Sequence, residues 1–492
     1  MMLKTWSSYR RSLTSGSKLY KFLYKAVSGN DLNKVHLHIS ARHHGQPKLS
    51  PQEVTQILRH HEFTLEFPQS TNSVKSFDSN QLPSNSPIED TRSEARCLLT
   101  RGMLIGVFDG HGGAACAQVV SKRLPDYICV SLLPKDLLQQ YLSFLEGKTE
   151  QIDLLEKFNE KSELIADLKS LYHRSFVNYV RHLLSDRKDN FFMEEALERA
   201  ILQLDQDICS EALESNAKDI DVKTLYVAMS GAVGCVAHID GTHLHVANVG
   251  DCQAVLGVLT EENTWLAKKL TIEHNADNIP EVNRIKNEHP DCEKNTIITQ
   301  DRLLGQLAPL RAFGDVRYKW SVDVLKKFVV PIFGEEVIAP YYYTPPYLTA
   351  RPEITHHSLT SRDKFLIIAS DGLWDMITPL QAVKLVGEHM RGKVTLNAFR
   401  LPNKDMKIGD VATLLKHRKE CFNVKPIDRN AATHLFRNVL GGTEYGIEHA
   451  RLSKLLTLPQ DVVRFVRDDI TVTVVYFDSE YLRRNYRHED EN

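Results

Sequence analysis

The chain has 492 residues, 42% hydrophobic and 25% charged, enough to bury a large core. Its 61 basic and 63 acidic residues leave a formal charge of −2, which offers nothing to a nucleic-acid partner. No run reaches the roughly 18 apolar residues of a membrane span, so no transmembrane segment is expected. The eight cysteines include no Cys-x-x-Cys pair, and none has a nearby histidine at zinc spacing; they read as reduced thiols of an intracellular protein.

The chain opens with Lys4, Arg10, Arg11, Lys18, Lys21 and Lys25 and has no acid before Asp31. That is the composition of a mitochondrial transit peptide, and residues 1–40 are assigned to it and a flexible N-terminus. Ser50-Pro51-Gln52-Glu53 sets an N-cap, a proline at the first helical position and an acid in the first turn, predicting a short helix. Residues 78–90, rich in Ser, Asn and Pro, read as irregular and close on Glu89-Asp90. Residues 103–109 form an apolar run of strand length that leads into Asp109-Gly110-His111-Gly112-Gly113. A helix with Ala117, Val120 and Leu124 on one face should follow. Residues 136–186 contain no proline and predict two or more amphipathic helices, with another over about 194–213. Two β-prone runs within 228–247 flank Asp240-Gly241 as a hairpin, and the second leads to Gly250-Asp251. A further motif lies within 301–318. Residues 320–352 read as a long irregular excursion. A strand over 364–369 runs into Ser370-Asp371-Gly372. Residues 392–428 look like a basic, irregular insertion, 430–440 like a helix, and 470–477 like a strand preceded by Arg467-Asp468-Asp469.

One arrangement recurs. An aspartate sits at the mouth of an apolar strand at Asp109, Asp251, Asp371 and Asp468, and Glu89-Asp90 adds a further acidic position. Taken singly, each is explained as a turn residue. Together they would repel one another and call for cations. An oxygen-only ligand set favours Mg²⁺ or Mn²⁺. Two such ions about 4 Å apart can activate water and neutralise a phosphoryl group under attack.

The stretch Leu104-Ile105-Gly106-Val107-Phe108-Asp109-Gly110-His111-Gly112 closely resembles the Asp-Gly-His-Gly motif of the metal-dependent protein phosphatase (PPM) family. Four further blocks follow in the family's order. They are Ser230-Gly231-Ala232 with Asn248-Val249-Gly250-Asp251, Leu310-Arg311-Ala312-Phe313-Gly314-Asp315, Ala369-Ser370-Asp371-Gly372-Leu373-Trp374-Asp375, and Arg467-Asp468-Asp469-Ile470-Thr471. The strand-rich core with flanking helices suggests an α+β protein. The resemblance implies a sandwich of two antiparallel β-sheets flanked by helices, with the metals in a cleft at one end. Residues 41–480 would form one catalytic domain with insertions near 136–190, 320–350 and 392–428, followed by a polar tail over 481–492.

The resemblance also implies roles. Asp109 would bridge two Mg²⁺ or Mn²⁺ ions and Gly110 would offer its carbonyl oxygen. Asp371 and Asp468 would complete the second ion's ligands, and Glu89 and Asp90 would act directly or through water. Asp251 would hold a weaker third ion, and His111 is the candidate general acid. The family's phosphate-binding arginine, four residues before the Glu-Asp pair, is Asn85 here, which leaves Arg92 and Arg311 as candidates to replace it. Blocks outside the metal site are similar to the catalytic subunits of pyruvate dehydrogenase phosphatases: residues 77–83, 87–90, 130–134, 274–276, 343–350 and 430–435. That likeness implies the phosphorylated pyruvate dehydrogenase complex as substrate, docking on the lipoyl domain of its acyltransferase core, a regulatory subunit, and the mitochondrial matrix as location. The rivals are another mitochondrial PPM phosphatase, such as one for branched-chain ketoacid dehydrogenase, and a pseudophosphatase scaffold.

Overall fold

The computed structural model describes residues 49–68, 72–159, 166–186, 192–213, 215–216, 219–399, 401, 406–422 and 424–489. The expected transit segment lies outside them. Two antiparallel sheets form the centre. One has six strands in the order β1 (Phe63–Glu66), β2 (Val74–Leu82), β12 (Ile470–Phe477), β11 (Asp363–Ala369), β8 (Gln253–Leu259) and β9 (Trp265–Lys269). The other has seven. Its main path is β10 (Glu353–Ser358), β7 (His243–Val249), β6 (Gly231–Asp240), β4 (Met103–His111), β3 (Thr91–Cys97) and β5 (Leu155–Phe158), and Phe313–Gly314 also pairs with β6.

Strand periodicity assigns the faces. On β11, Leu366 and Ile368 point into the core shared with Leu104, Ile105, Val107 and Phe108 of β4. Phe365, Ile367 and Ala369 point the other way, onto Val383 and Val386 of the helix Pro379–Met390 and Leu435 and Phe436 of the helix Ala431–Gly441. The seven-stranded sheet is covered by α2 (Ala115–Leu132) and the helix Met193–Glu211. The central strands β4, β6, β7, β11 and β12 are therefore buried on both sides, which is why they read as apolar runs rather than alternating ones.

The N-terminal helix α1 (Pro51–Arg59) has the expected cap: Ser50 Oγ accepts from Glu53 N, and Glu53 returns the bond to the Ser50 backbone. Several expectations are corrected. Residues 74–82 are a strand, because the buried side chains of Asp78 and Asn80 are held by hydrogen bonds from other elements. Asn80 Nδ2 donates to Leu58 O (2.7 Å) and Thr433 Oγ1 (2.8 Å), and Asp78 accepts from Thr64 Oγ1 (2.6 Å) and Ala431 N (2.8 Å). Blocks 77–83 and 430–435, far apart in sequence, thus pack on each other. The 136–186 region holds the helices Lys135–Leu145 and Lys169–Asp186 but also β5, an edge strand. A helix, Val222–Met229, occupies the start of the expected hairpin. Residues 322–333 wind into helical turns, the insertion holds the helix Ile408–Cys421 with no buried residue, and the polar C-terminal stretch is helical over Ser479–Glu489. Among the described residues no helix is long and apolar enough to cross a membrane.

Candidate active site

Strand ends bring the acidic motifs together. β4 carries Asp109 at its end, β11 stops just before Asp371, β7 stops just before Gly250-Asp251, β12 starts just after Asp468-Asp469, and Glu89-Asp90 precede β3. Two glycines permit backbone approaches that a side chain would block. A Cβ on Gly110 would stand 2.5 Å from Glu89 O, and one on Gly372 would stand 2.0 Å from Asp469 O. Ser370 Oγ donates to Asp90 Oδ2 (2.8 Å) and accepts from Thr471 N (3.0 Å), joining three motifs through one hydroxyl. The carboxyl groups of Asp109 and Asp371 lie close enough to act on each other's ionisation.

The electrostatics follow from that crowding. Burial, then repulsion from Asp90, Asp371, Asp251 and Asp468, holds Asp109 well above the usual carboxylate range. Asp90 is raised by burial and Asp469, and Asp371 by burial, Asp251 and Asp468. Burial and Asp469 push Glu89 up to about 7, and burial pushes Asp251 up to about 6. Asp371 Oδ1 is buried without a hydrogen-bond partner. Such a set is stable as anions only beside positive charge, and its oxygen donors suit a hard divalent cation. Among the described residues no group of three or more His, Cys, Asp or Glu closes on one point as a metal cage. Mg²⁺ does not need one, because it keeps several waters and takes only one or two carboxylates.

His111 Nε2 lies 2.5 Å from Asp315 Oδ2, a residue held in the left-handed region at φ 51°. Burial pushes the imidazole down, but Asp315, Asp251 and Glu89 outweigh it and raise its pKa. Asp315 therefore completes a pair that sequence reasoning did not assign, although its motif had been read.

Asp469 was missed in the same way. It is 1% exposed. Its Oδ1 accepts from Ser84 N (2.5 Å) and Asn85 N (2.8 Å), and its Oδ2 from Glu89 N (2.8 Å) and Asn85 Nδ2 (3.1 Å). It thereby shapes the loop that presents Glu89-Asp90.

The three candidates for substrate phosphate are engaged elsewhere. Asn85 Nδ2 spends its hydrogens on Asp469 and on Asp468 Oδ1 (3.3 Å). Arg92 is buried beside Glu94 (3.1 Å), with Nη2 donating to His61 O (3.2 Å). Arg311 grips Glu281 through Nε (2.8 Å) and Nη2 (2.7 Å); burial would raise Glu281, but Arg311 and Arg284 hold it at about 2. Arg464, unremarked in the sequence, is exposed, and its charge partly offsets the upward shift of both Glu89 and Asp468. Blocks outside the metal motifs brace the site. His274 Nδ1 accepts from Gly250 N (3.0 Å), and Thr349 O accepts from Ala312 N (3.1 Å).

Comparison with known proteins matches this geometry. The profile described as Protein phosphatase 2C matches residues 166–409. The mitochondrial pyruvate dehydrogenase (acetyl-transferring) phosphatase 1 of Bos taurus is 43% identical over 449 residues, 88% of this chain and 83% of that protein. The chain belongs to the protein phosphatase 2C family. This phosphatase is also 41% identical over 504 aligned residues to the human mitochondrial pyruvate dehydrogenase (acetyl-transferring) phosphatase 2, covering 97% of this chain and 95% of that one. The corresponding phosphatase 1 of Saccharomyces cerevisiae is 30% identical over 82% of this chain and 68% of its own length. Membership makes the chain a metal-dependent protein serine/threonine phosphatase of the α+β sandwich class.

Proposed function

We propose that this phosphatase dephosphorylates the alpha subunit of the pyruvate dehydrogenase decarboxylase component, reactivating the complex in the mitochondrial matrix. The observation that carries the reading is identity of 41% spread over 97% of this chain and 95% of a human relative of that name. That alignment spans the bracing blocks as well as the metal motifs, and the acid-free basic N-terminus supports the location. Docking on the lipoyl domain of the acyltransferase core, a regulatory subunit, and residues 41–480 as one catalytic domain belong to the same proposal.

Two Mg²⁺ or Mn²⁺ ions, with a weaker third, would supply water activation and charge neutralisation at the phosphoryl group. Asp109, Gly110 O, Asp371 and Asp468 would hold the pair, with Glu89 and Asp90 acting directly or through water and Asp251 serving the third. His111 works from its own hydrogen bond. With Nε2–H donated to Asp315, the proton on Nδ1 is the one left for the departing serine or threonine oxygen. Asp315 fixes the ring's tautomer and favours its charged form. Arg464 supplies the cation for the substrate phosphate that Asn85 cannot.

The test is phosphate release from phosphorylated pyruvate dehydrogenase complex by the purified chain, with Mg²⁺ and with EDTA, beside a generic phosphoserine peptide. Metal-dependent release strongly favouring the complex is expected. Equal rates on both would remove the substrate assignment.

A further inference from the structure

The turn that presents Asp315 to His111 is tied to a helix distant in sequence by a buried carboxylate. Asp205 belongs to the helix Met193–Glu211 and is 8% exposed. Its Oδ1 accepts from Gly314 N (2.8 Å) and from Lys319 Nζ (2.7 Å), and its Oδ2 accepts from the same Nζ (2.7 Å). Lys319 Nζ also donates to Ala312 O (2.9 Å). One ion pair thus holds the turn 312–319 at three points: the carbonyl of Ala312, the amide of Gly314 and the side chain of Lys319. Asp315 lies inside that span.

The turn needs such a hold. Gly314 and Asp315 are consecutive residues in the left-handed region, at φ 64° and 51°. Asp315 carries a Cβ, so its conformation persists only where neighbours enforce it. Its amide donates to Ser230 O (3.1 Å) and its carbonyl accepts from Tyr318 N (2.9 Å). The amide one residue earlier has the Asp205 carboxylate as its acceptor. That acceptor is charged, Lys319 neutralises it, and hydrogen bonds to a charged group are about twice as strong as neutral ones. Tolerance at the other end of Asp315 is small. Its Oδ2 lies 2.5 Å from His111 Nε2, so a shift of the turn by about 1 Å would carry the pair out of hydrogen-bonding range.

We propose that Asp205, with Lys319, is a positioning residue for the dephosphorylation: it holds the turn so that Asp315 stays on His111 Nε2 and the Nδ1 proton is kept for the leaving oxygen. Asp205 acts through Gly314 and Asp315 and does not itself meet the substrate. This role rests on His111 being the general acid. Loss of the hold should therefore hurt leaving groups that need a proton. A departing serine alkoxide needs one; p-nitrophenolate, whose charge spreads over the ring and nitro group, does not.

The full chain is assayed with Mn²⁺ on a phosphoserine peptide and on p-nitrophenyl phosphate. In Asp205→Asn the ratio of kcat on the peptide to kcat on p-nitrophenyl phosphate should fall at least 10-fold, with KM and the Mn²⁺ requirement little moved. His111→Gln, assayed in parallel, sets the fall for complete loss of the proton donor. Asp205→Asn leaves Lys319 charged and buried, so the double variant Asp205→Asn with Lys319→Met, which removes both charges, is assayed too. An equal loss on both substrates would make the ion pair a scaffold only and overturn the proposal. So would an unmoved ratio where His111→Gln shows the fall. An unmoved ratio in His111→Gln itself would remove the general-acid reading, and the positioning role with it. Hydrogen exchange at the Gly314 and Asp315 amides of the wild type should be slow; exchange as fast as in an exposed loop would overturn the hold even if no variant folds.

Discussion

Asp469 holds the loop that carries Glu89-Asp90, and Asp469→Asn measures how much the site depends on it. In the wild type its two oxygens receive four hydrogen bonds, from Ser84 N, Asn85 N, Glu89 N and Asn85 Nδ2. The amide keeps one oxygen for Ser84 and Asn85 N–H but turns an NH₂ toward Glu89 N–H and the Asn85 amide. Two bonds to a charged acceptor are lost, each about 1.5–3 kcal/mol, so at least about 3 kcal/mol of loop stability should go. At about 2.1 cal/mol/K per residue for a chain of this length, that is a fall of about 3 °C in Tm. The functional effect should be larger than the global one, since the loop next to the carboxylates relaxes. The apparent Mn²⁺ requirement for phosphate release should rise about 10-fold or more, at roughly 1.4 kcal/mol per decade. Metal titration of activity, thermal denaturation and hydrogen exchange at Ser84, Asn85 and Glu89 form the assay. Unchanged exchange at those amides with an unchanged metal requirement would refute the positioning role of Asp469.

Asp109→Asn should lower turnover by on the order of 10²–10³ without unfolding the chain, because it disturbs the charge shared by the whole cluster; near-normal kcat would exclude the bridging role. Arg464→Ala should raise KM for a phosphorylated substrate about 10-fold with kcat little changed, and Arg464→Lys should recover part of it, as expected for a surface cation binding phosphate; a pure kcat loss would argue against that placement. In Asp315→Asn the raised pKa of His111 is lost. A general acid must be protonated, so the alkaline fall in kcat should move to lower pH, and an unmoved limb would remove His111 from proton donation. Burial and His389, whose ring lies 4.6 Å away, depress His434 to about 3. With an unfolded value of about 6.5, its contribution to stability is complete above that pH and is lost as pH falls toward the folded value. The urea midpoint should therefore drop between pH 7 and pH 5 in the wild type, and drop less in His434→Gln.

Local sequence was enough to place the strands that run into Asp109 and Asp371, the strand that begins after Asp468, the tight turn at Gly241 and the capped helix at Ser50. Each rests on a local cause: an apolar run, a φ-permissive glycine, or a side chain that caps its own helix. It also named the chemistry, because aspartate, glycine and histidine at such spacing resemble few things. Only the folded chain shows that residues 74–82 form a central strand, since Asp78 and Asn80 find partners at Leu58, Thr64, Ala431 and Thr433 from other elements. Only it could show Asn85 spending its amide on Asp468 and Asp469, Arg311 locked on Glu281, and Arg464 beside Glu89. Those assignments depend on which charges meet after the chain has folded, and separation along the sequence carries no record of that.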